Sequence, residues 1–257
     1  MVIVGALFAG PLTFYILFAL ITLFCQLEFY DLAEKNGKKK KKTNGITAGF
    51  VLFTLNFLIA ANYLNDWGYV GLFPFILLIL IREIYRKTHN PFINIAYTLS
   101  ALIYPVLFMA VTSQLVFDTG MNTGYNHQIM LFLMILIWSN DTFAYTIGKN
   151  FGKHPLSQNI SPQKSWEGLF GGLLFSLAAA IIIFYTTQQM RLTIWILLAL
   201  VVSVAGTFGD LTESCLKRSA GVKESGKIIP GHGGLLDRFD SALFIFPLAY
   251  ICLKLLT

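Results

Sequence analysis

The chain of 257 residues is 56% hydrophobic and only 12% charged, with a formal net charge of +6 at pH 7. A soluble domain has roughly 25% charged residues, so this composition excludes an ordinary soluble protein and favours a polytopic membrane protein. The cysteines at positions 25, 215 and 252 form no CxxC pair, which argues against a disulfide framework or a zinc site. The first ten residues lack a basic region and a cleavage motif, so no cleaved signal peptide is expected.

Eight apolar runs each approach the roughly 20 residues that a helix needs to cross the hydrocarbon core of a bilayer. The runs cover 8–30, 45–64, 68–85, 92–116, 128–147, 168–187, 192–212 and 239–257. We therefore predict an all-α polytopic membrane protein with about eight transmembrane helices, forming a single membrane domain over 1–257. Three prolines inside these runs, Pro11, Pro74 and Pro105, are expected to kink or end helices.

Lysine and arginine are concentrated in alternate loops between these runs. The basic loops are 31–44, 82–90, 148–167 and 213–238, and the other connections contain only Arg191. Because cytoplasmic loops are enriched in Lys and Arg, this alternation places all four basic loops in the cytoplasm and both termini on the other side. The run Lys38–Lys42 is interpreted as a solvated turn that also binds anionic lipid headgroups, and no nucleic-acid partner is expected.

Acidic residues inside predicted spans are costly and therefore indicate a functional site. Asp141 lies in the fifth run, well before the polar loop begins. The end of the seventh run repeats polar residues at intervals of three and four, which places them on one helix face. These residues are Asp210, Glu213, Ser214 and Lys217. An interfacial helix end with intrahelical ion pairs is the alternative, but it does not explain the depth of Asp210.

A second pair of carboxylates opens the eighth run. Asp237 and Asp240 are three residues apart and share a helix face, and the glycines just before them permit close backbone approach. Carboxylates at the same ends of two neighbouring helices predict an all-oxygen site suited to Mg²⁺. The basic residues of loops 148–167 and 213–238 surround this site, and carboxylates beside cations favour phosphoryl-type transfer.

The segment SCLKRSAGVKESGKIIPGHGGLLDRFDS, residues 214–241, closely resembles the signature of the phosphatidate cytidylyltransferases, also called CDP-diacylglycerol synthases. Every fixed position of that signature matches except one, because the Lys-Asp of the family is here Lys223-Glu224. The change keeps the charge and lengthens the side chain, which argues against a direct metal role for Glu224.

The resemblance extends upstream of this signature. GDLTES at 209–214 and the segment 140–172, whose core SPQKSWEG matches SPxK[ST]WEG, also resemble the family. The similarity is therefore specific over about 138–245, while the first 130 residues resemble the family only in hydropathy. Family members usually carry one further N-terminal span, and residues 1–10 resemble the end of such a span.

The resemblance implies transfer of CMP from CTP to phosphatidate, which yields CDP-diacylglycerol and pyrophosphate with Mg²⁺ as cofactor. It implies N-terminal helices in 1–130, a catalytic half in 131–257, and contact with membrane lipids. Whether a monovalent cation shares the site is left open. The expected location is the bacterial inner membrane with the active site facing the cytoplasm. Gly171 and Gly172 permit close helix packing within or between chains, and a homodimer is expected by analogy with the family.

The candidate site residues fall into three groups. Asp210 and Asp237 are expected to ligate Mg²⁺, and the secondary candidates for metal binding are Asp141, Glu213 and Asp240. The catalytic candidates are Asp210, Asp237, Lys164, Lys217, Arg218 and Arg238. The candidates for substrate binding are Lys149, Lys153, Ser161, Ser214, Lys223, His232, Gly233 and Gly234.

Lys164 carries the most specific expectation. Pro162 stiffens the loop around it, and Ser161 and Ser165 can form hydrogen bonds with the backbone. We expect Lys164 to contact a metal-binding carboxylate, foremost that of Asp237, and to help hold the incoming phosphates. The alternative is an interfacial lysine that only extends towards water.

Two further basic residues have open assignments. Arg238 either binds phosphate or forms a structural pair with Asp240 or Asp210. His232 is expected to donate a hydrogen bond in the glycine turn, since no second His or Cys lies nearby in the sequence to form a zinc site.

Several other functions fit parts of this pattern. A CTP-dependent lipid kinase, or an archaeal-type cytidylyltransferase with an isoprenoid acceptor, would use similar acidic motifs. The paired motif of the CDP-alcohol phosphotransferases is absent from the sequence. A cation transporter built around Asp141, Asp210 and Asp237 is the alternative from a different class, and the position of Asp237 at the end of a run argues against it.

Overall fold

A computed structural model of the chain describes residues 2–35, 43–85, 90–118, 124–226, 228 and 233–256. Seven helical segments in these ranges are long and apolar enough to cross a membrane: Pro11–Lys35, Asp66–Tyr85, Pro91–Phe117, Gln128–Phe151, Trp166–Thr187, Leu192–Ser219 and Leu236–Leu256. The apolar helix Asn44–Ala60 is shorter. The predicted all-α polytopic membrane fold is confirmed, and seven of the eight predicted runs reach spanning length.

The N-terminal half is a series of helices with several interruptions. Its elements are α1 (Val2–Ala9), α2 (Pro11–Lys35), α3 (Thr43–Ala60), a 3-10 helix (Asp66–Leu72), α4 (Phe73–Tyr85), α5 (Pro91–Ala101), a π-helical turn (Leu102–Leu107), α6 (Phe108–Ala110) and α7 (Thr112–Phe117). A distortion of the expected kind occurs at Pro105, whereas Pro11 and Pro74 lie in the first turns of helices, where the missing backbone N–H is tolerated. Pro11 begins α2, Pro74 lies in the first turn of α4, and Pro105 lies inside the π-helical turn.

The C-terminal half contains the four long helices that surround the candidate site. Its elements are α8 (His127–Phe151), β1 (Pro155–Ser157), β2 (Ser161–Ser165), α9 (Trp166–Thr187), α10 (Leu192–Ser219) and α11 (Leu236–Leu256). The two strands form an antiparallel hairpin in which Pro155 pairs with Ser165. The side chain of Ser165 then caps α9 by accepting a hydrogen bond of 3.1 Å from the backbone N–H of Gly168. The basic loop 148–167 is therefore an ordered hairpin fixed to the start of α9.

Glycines bring α8 and α9 into close contact. A Cβ atom on Gly168 would lie 2.8 Å from the carbonyl oxygen of Ala144, and one on Gly172 would lie 2.7 Å from Oδ1 of Asn140. Gly171 packs in the same way against Ile147. The close packing expected at Gly171 and Gly172 therefore occurs within the chain.

The contact between α10 and α11 is equally close. A Cβ atom on Gly209 would lie 2.6 Å from the carbonyl oxygen of Asp240 and 3.1 Å from Cα of Ser241. No side chain larger than glycine fits there without moving backbone, so the start of α11 lies directly against the segment of α10 that carries Asp210. Most buried apolar side chains form a single cluster that extends from Leu7 to Leu253.

Candidate active site

The ends of α8 and α10 and the starts of α9 and α11 meet around a cavity of about 850 Å³. The hairpin strand β2 forms another part of its wall. The charged and amide side chains that line the cavity are Asn140, Asp141, Lys149, Gln163, Lys164, Asp210, Asp237, Arg238 and Asp240. A volume of this size is typical of a small-molecule site, and the wall combines carboxylates with cations as the sequence predicted.

Asp210 lies at the centre of one cluster in this cavity. Its carboxylate forms an ion pair with the ammonium group of Lys164, and both side chains are about one quarter to one third exposed. Oγ of Ser214 donates a hydrogen bond of 3.2 Å to Oδ1 of Asp210, one helical turn away. Ser214 therefore helps to orient Asp210, and its predicted contact with substrate stays a prediction.

The predicted partner of Lys164 was wrong. Lys164 reaches a candidate metal-binding carboxylate, as expected, but that carboxylate belongs to Asp210 and not to Asp237. Asp237 already accepts hydrogen bonds from Lys217 and from two backbone N–H groups. The hairpin instead places Lys164 beside α10, where the carboxylate of Asp210 lies open to the cavity.

Asp237 is held from several sides at the start of α11. Its Oδ1 accepts a hydrogen bond of 2.7 Å from Nζ of Lys217. Its Oδ2 accepts bonds from the backbone N–H groups of Gly234, at 2.8 Å, and Ser225, at 3.0 Å. A carboxylate in the first turn of a helix also interacts favourably with the helix dipole. The rotamer of Asp237 is therefore determined before any ligand binds.

Lys217 connects Asp237 to a buried carboxylate. Its ammonium group also forms an ion pair with Glu213, four residues earlier on α10, and the side chain of Glu213 is completely buried. An unpaired buried charge is strongly destabilising, so Lys217 compensates Glu213 as well as orienting Asp237. Glu213 is not among the described residues that line the cavity, and its secondary candidacy as a metal ligand stays a prediction.

Asp141 and Asp240 complete the acidic wall of the cavity. Oδ1 of Asp141 accepts a hydrogen bond of 3.3 Å from the Asn140 amide, and Oδ1 of Asp240 accepts one of 2.6 Å from the backbone N–H of Ser241. Within the described ranges, no three His, Cys, Asp or Glu side chains are grouped closely enough to hold a metal ion. Carboxylates from three helices nevertheless face one cavity, and this oxygen-only set fits Mg²⁺ better than a softer metal.

The predicted basic residues separate into two sets. Lys149 and Arg238 line the cavity, as does Ser161, and Nζ of Lys149 also lies 5.7 Å from the centre of the Tyr145 ring. Besides Lys217, whose ammonium group pairs with Glu213 and Asp237, three others lie outside the set of described residues that line it: Arg218, Lys153 and Lys223. All three are exposed, and the Arg218 guanidinium donates a hydrogen bond of 3.2 Å to the carbonyl oxygen of Val222. Their roles in binding phosphate stay predictions.

The glycine turn before α11 is described in part. Gly233 has a positive φ of 79°, which favours glycine. Gly234 donates to Asp237, and a Cβ atom on it would collide with Ser225 and Glu28. Both glycines therefore have packing roles, and direct contact with substrate stays a prediction. Gly231 and His232 lie outside the described residues, as do Lys227 and the whole lysine run at 38–42.

Glu28 of α2 is a site residue that the sequence reasoning missed. It is 1% exposed, and its carboxylate accepts hydrogen bonds from Ser225, Leu235 and Leu236, around the start of α11. A signal for it exists, since Glu28 is the only Asp or Glu in the first predicted run, 8–30. An acidic residue in such a run indicates a function by default, so position 28 carries the same signal in the sequence as Asp141.

The chain is similar in sequence to known proteins over most of its length. The model of the family described as "Cytidylyltransferase family" matches residues 1–256. The phosphatidate cytidylyltransferase of Staphylococcus saprophyticus is 35% identical over 196 residues, which cover 76% of this chain and 72% of that protein. That of Staphylococcus epidermidis is 36% identical over 184 residues, covering 71% and 68% respectively. That of Staphylococcus aureus is 38% identical over 178 residues, covering 68% and 65%.

Proposed function

Because the chain belongs to the cytidylyltransferase family, we propose that it transfers CMP from CTP to phosphatidate, giving CDP-diacylglycerol and pyrophosphate. One observation carries the proposal beyond the family name. The cavity lies at the ends of helices of membrane-spanning length, and its wall combines four aspartates with three cations, Lys149, Lys164 and Arg238. A lipid phosphate and a nucleoside triphosphate both need cations, and a divalent metal that binds them needs carboxylates.

The chemistry requires little acid or base assistance. A phosphate oxygen of phosphatidate, already an anion, attacks the α-phosphorus of CTP and forms the new P–O bond. The bond from the α-phosphorus to the bridging oxygen of the β-phosphate breaks, and pyrophosphate leaves with that electron pair. The main barrier is the crowding of negative charge, which fixed cations lower in a site that excludes water. This charge would come from three residues that line the cavity, Lys149, Lys164 and Arg238.

We also propose Mg²⁺ as the cofactor. Asp210 and Asp237 are the first candidates to hold it, and Asp141 and Asp240 line the same wall. When bound, the metal would neutralise phosphate oxygens and polarise the α-phosphate. Lys164 and Lys217 keep the two principal carboxylates oriented through their ion pairs. We propose in the same way that a monovalent cation can share this acidic cavity with Mg²⁺.

The location proposed for the site is the cytoplasmic face of the bacterial inner membrane. The alternation of basic loops supports this orientation, since cytoplasmic loops carry the excess of Lys and Arg. The exposed ring of Trp166 at the start of α9 suits the interface between headgroups and water. CTP from the cytoplasm and the headgroup of phosphatidate would then meet at the same depth. A homodimer in the membrane is also proposed, by analogy with the family.

A reconstitution assay tests the function. The purified protein in liposomes is given CTP labelled in its cytosine ring, with phosphatidate, diacylglycerol or an isoprenoid phosphate as the only acceptor. We expect label in chloroform-extractable lipid only in the reaction whose acceptor is phosphatidate. Incorporation only with the isoprenoid phosphate would show that this lipid, and not phosphatidate, is the acceptor. No incorporation with any acceptor would refute the proposal.

A further inference from the structure

Glu28 lies in α2, far in sequence from the predicted site, yet its carboxylate contacts the start of α11 directly. Oε1 accepts a hydrogen bond of 2.9 Å from the backbone N–H of Leu235, and Oε2 accepts one of 2.7 Å from that of Leu236. The first N–H groups of a helix have no partners within the helix. A buried carboxylate that binds two of them is therefore a strong, charge-assisted cap.

Ser225 connects this cap to Asp237. Its hydroxyl donates a hydrogen bond of 3.0 Å to Oε2 of Glu28, while its backbone N–H donates one of 3.0 Å to Oδ2 of Asp237. Ser225 is 1% exposed, so neither bond competes with bulk water. One carboxylate thus binds the hydroxyl of Ser225 and the other its backbone N–H, so displacement of Glu28 would displace the backbone donor that orients Asp237.

Two glycines provide the space that Glu28 occupies. A Cβ atom on Gly226 would collide with the carboxyl group of Glu28, and one on Gly234 would collide with Ser225 and Glu28. Gly226 and Gly234 therefore both leave room for the carboxyl group of Glu28. Gly234, which the sequence analysis assigned to close backbone approach and substrate binding, thus has a steric reason that lies in the N-terminal half of the chain.

From these contacts we infer that Glu28 is a positioning residue, through which α2 holds Asp237 in place for the transfer reaction. The inference rests on the proposed function for its kinetic consequences and on the contacts alone for its structural ones. Glu28 is not among the described residues that line the cavity, so it acts through Ser225 and the start of α11 and not on substrate. Through Glu28, the N-terminal half of the chain therefore helps to position a residue of the candidate active site.

The structural test is hydrogen exchange of the full-length protein in detergent, followed by mass spectrometry. Glu28→Gln keeps the size of the side chain but leaves one acceptor oxygen, because the amide nitrogen cannot accept from a backbone N–H. Peptides covering 233–240 are expected to exchange about tenfold faster, which corresponds to the loss of one charge-assisted hydrogen bond. Peptides from α8 and α9 are expected to exchange at the wild-type rate.

Gln26→Met is the matched control. Gln26 lies on the same helix and is also 1% exposed, but its amide donates a hydrogen bond of 2.8 Å to the carbonyl oxygen of Gly45 in α3. The control is expected to leave exchange in 233–240 and the transfer rate unchanged. Equal acceleration of 233–240 in both variants would overturn the inference, since it would indicate a general loosening of α2.

The kinetic test separates positioning from binding. In Glu28→Gln, kcat is expected to fall about tenfold to a hundredfold while KM for CTP stays close to the wild-type value, because a displaced Asp237 affects the reacting geometry. An unchanged kcat, or unchanged exchange in 233–240, would overturn the inference. If the wild-type protein transfers no CMP, the proposed function fails, and the exchange experiment still decides the structural role.

Ser225→Ala keeps the inference testable if Glu28→Gln does not fold. This variant removes one of the three hydrogen bonds to Glu28 and leaves its two backbone bonds in place. We expect faster exchange in 233–240 and a reduced kcat, and both effects should be smaller than those of Glu28→Gln. Wild-type exchange and wild-type kcat in Ser225→Ala would overturn the inference.

Discussion

Nζ of Lys217 lies 2.7 Å from Oδ1 of Asp237, and this contact joins the end of α10 to the start of α11. The same ammonium group pairs with the buried carboxylate of Glu213. Lys217 of α10 and Asp237 of α11 therefore orient each other and compensate each other's charge. The acidic wall of the cavity is supported by this pair on one side and by the pair of Lys164 and Asp210 on the other.

Asp237→Asn is expected to lower the rate of CMP incorporation by on the order of a hundredfold, the size of effect that follows the loss of one preorganised electrostatic contact. The amide keeps the shape of the side chain but loses the charge that holds Lys217 and that would bind a metal. Asp118→Asn is the control, because Asp118 also pairs with a lysine, Lys254, but lies outside the described lining of the cavity. Near-normal activity of Asp237→Asn at ordinary Mg²⁺ concentrations would contradict the assignment.

Lys217→Met is expected to reduce the free energy of unfolding by about 3–5 kcal/mol, because it leaves the carboxylate of Glu213 buried without compensation. Adding Glu213→Gln removes that charge and is expected to restore most of the stability but not the activity. Lys254→Met, which breaks a half-exposed pair, should cost at most about 1 kcal/mol. Denaturant titration in mixed micelles measures all three, and equal losses for the two lysine variants would contradict the account.

Lys164→Gln is expected to lower the transfer rate about tenfold to a hundredfold, the equivalent of one charge-assisted hydrogen bond. Lys164→Arg is expected to lose most of the activity too, since a planar guanidinium does not replace a compact ammonium in a tight contact. The measurement is turnover in liposomes, with Lys254→Gln as a control for the loss of a lysine that pairs with an aspartate elsewhere. If both Lys164 variants keep most of the wild-type rate, Lys164 is only an interfacial anchor.

Gly209→Ala is expected to cost about 1–3 kcal/mol of unfolding free energy and to lower the transfer rate, because the new methyl group would displace the backbone at Asp240. Gly71→Ala is the control, since the nearest atom to its Cβ, Cδ1 of Leu55, would be 3.7 Å away in ordinary contact. Thermal unfolding and turnover of both variants are measured in the same detergent. A fully stable and active Gly209→Ala protein would show that α10 and α11 do not meet as closely as described.

The features predicted correctly from the sequence depend on local periodicity. Hydropathy and length locate the apolar helices, and spacings of three and four place Asp210 with Ser214 and Glu213 with Lys217 on α10, where the structure pairs them. The signature at 214–241 leads to the family that the comparisons show. None of these inferences requires knowledge of which helices are neighbours.

The features that were missed depend on contacts between distant segments. Lys164 lines a cavity with carboxylates from three helices, and its pairing with Asp210 follows from the path of the hairpin, which the sequence does not reveal. Glu28 contacts a backbone N–H that lies 207 residues later in the chain. The π-helical turn around Pro105 was expected only as a kink, because its hydrogen-bond pattern depends on how the neighbouring helices pack.

The most direct test of the central claim follows the phosphates of CTP in the reconstituted protein with phosphatidate as acceptor. Two parallel reactions contain CTP labelled at the α-phosphate or at the γ-phosphate. The account predicts that the α-label enters the lipid and that the γ-label is released as pyrophosphate, in equal amounts. Transfer of the γ-label to lipid would identify a CTP-dependent kinase and contradict the account, and so would the absence of both labels from the lipid.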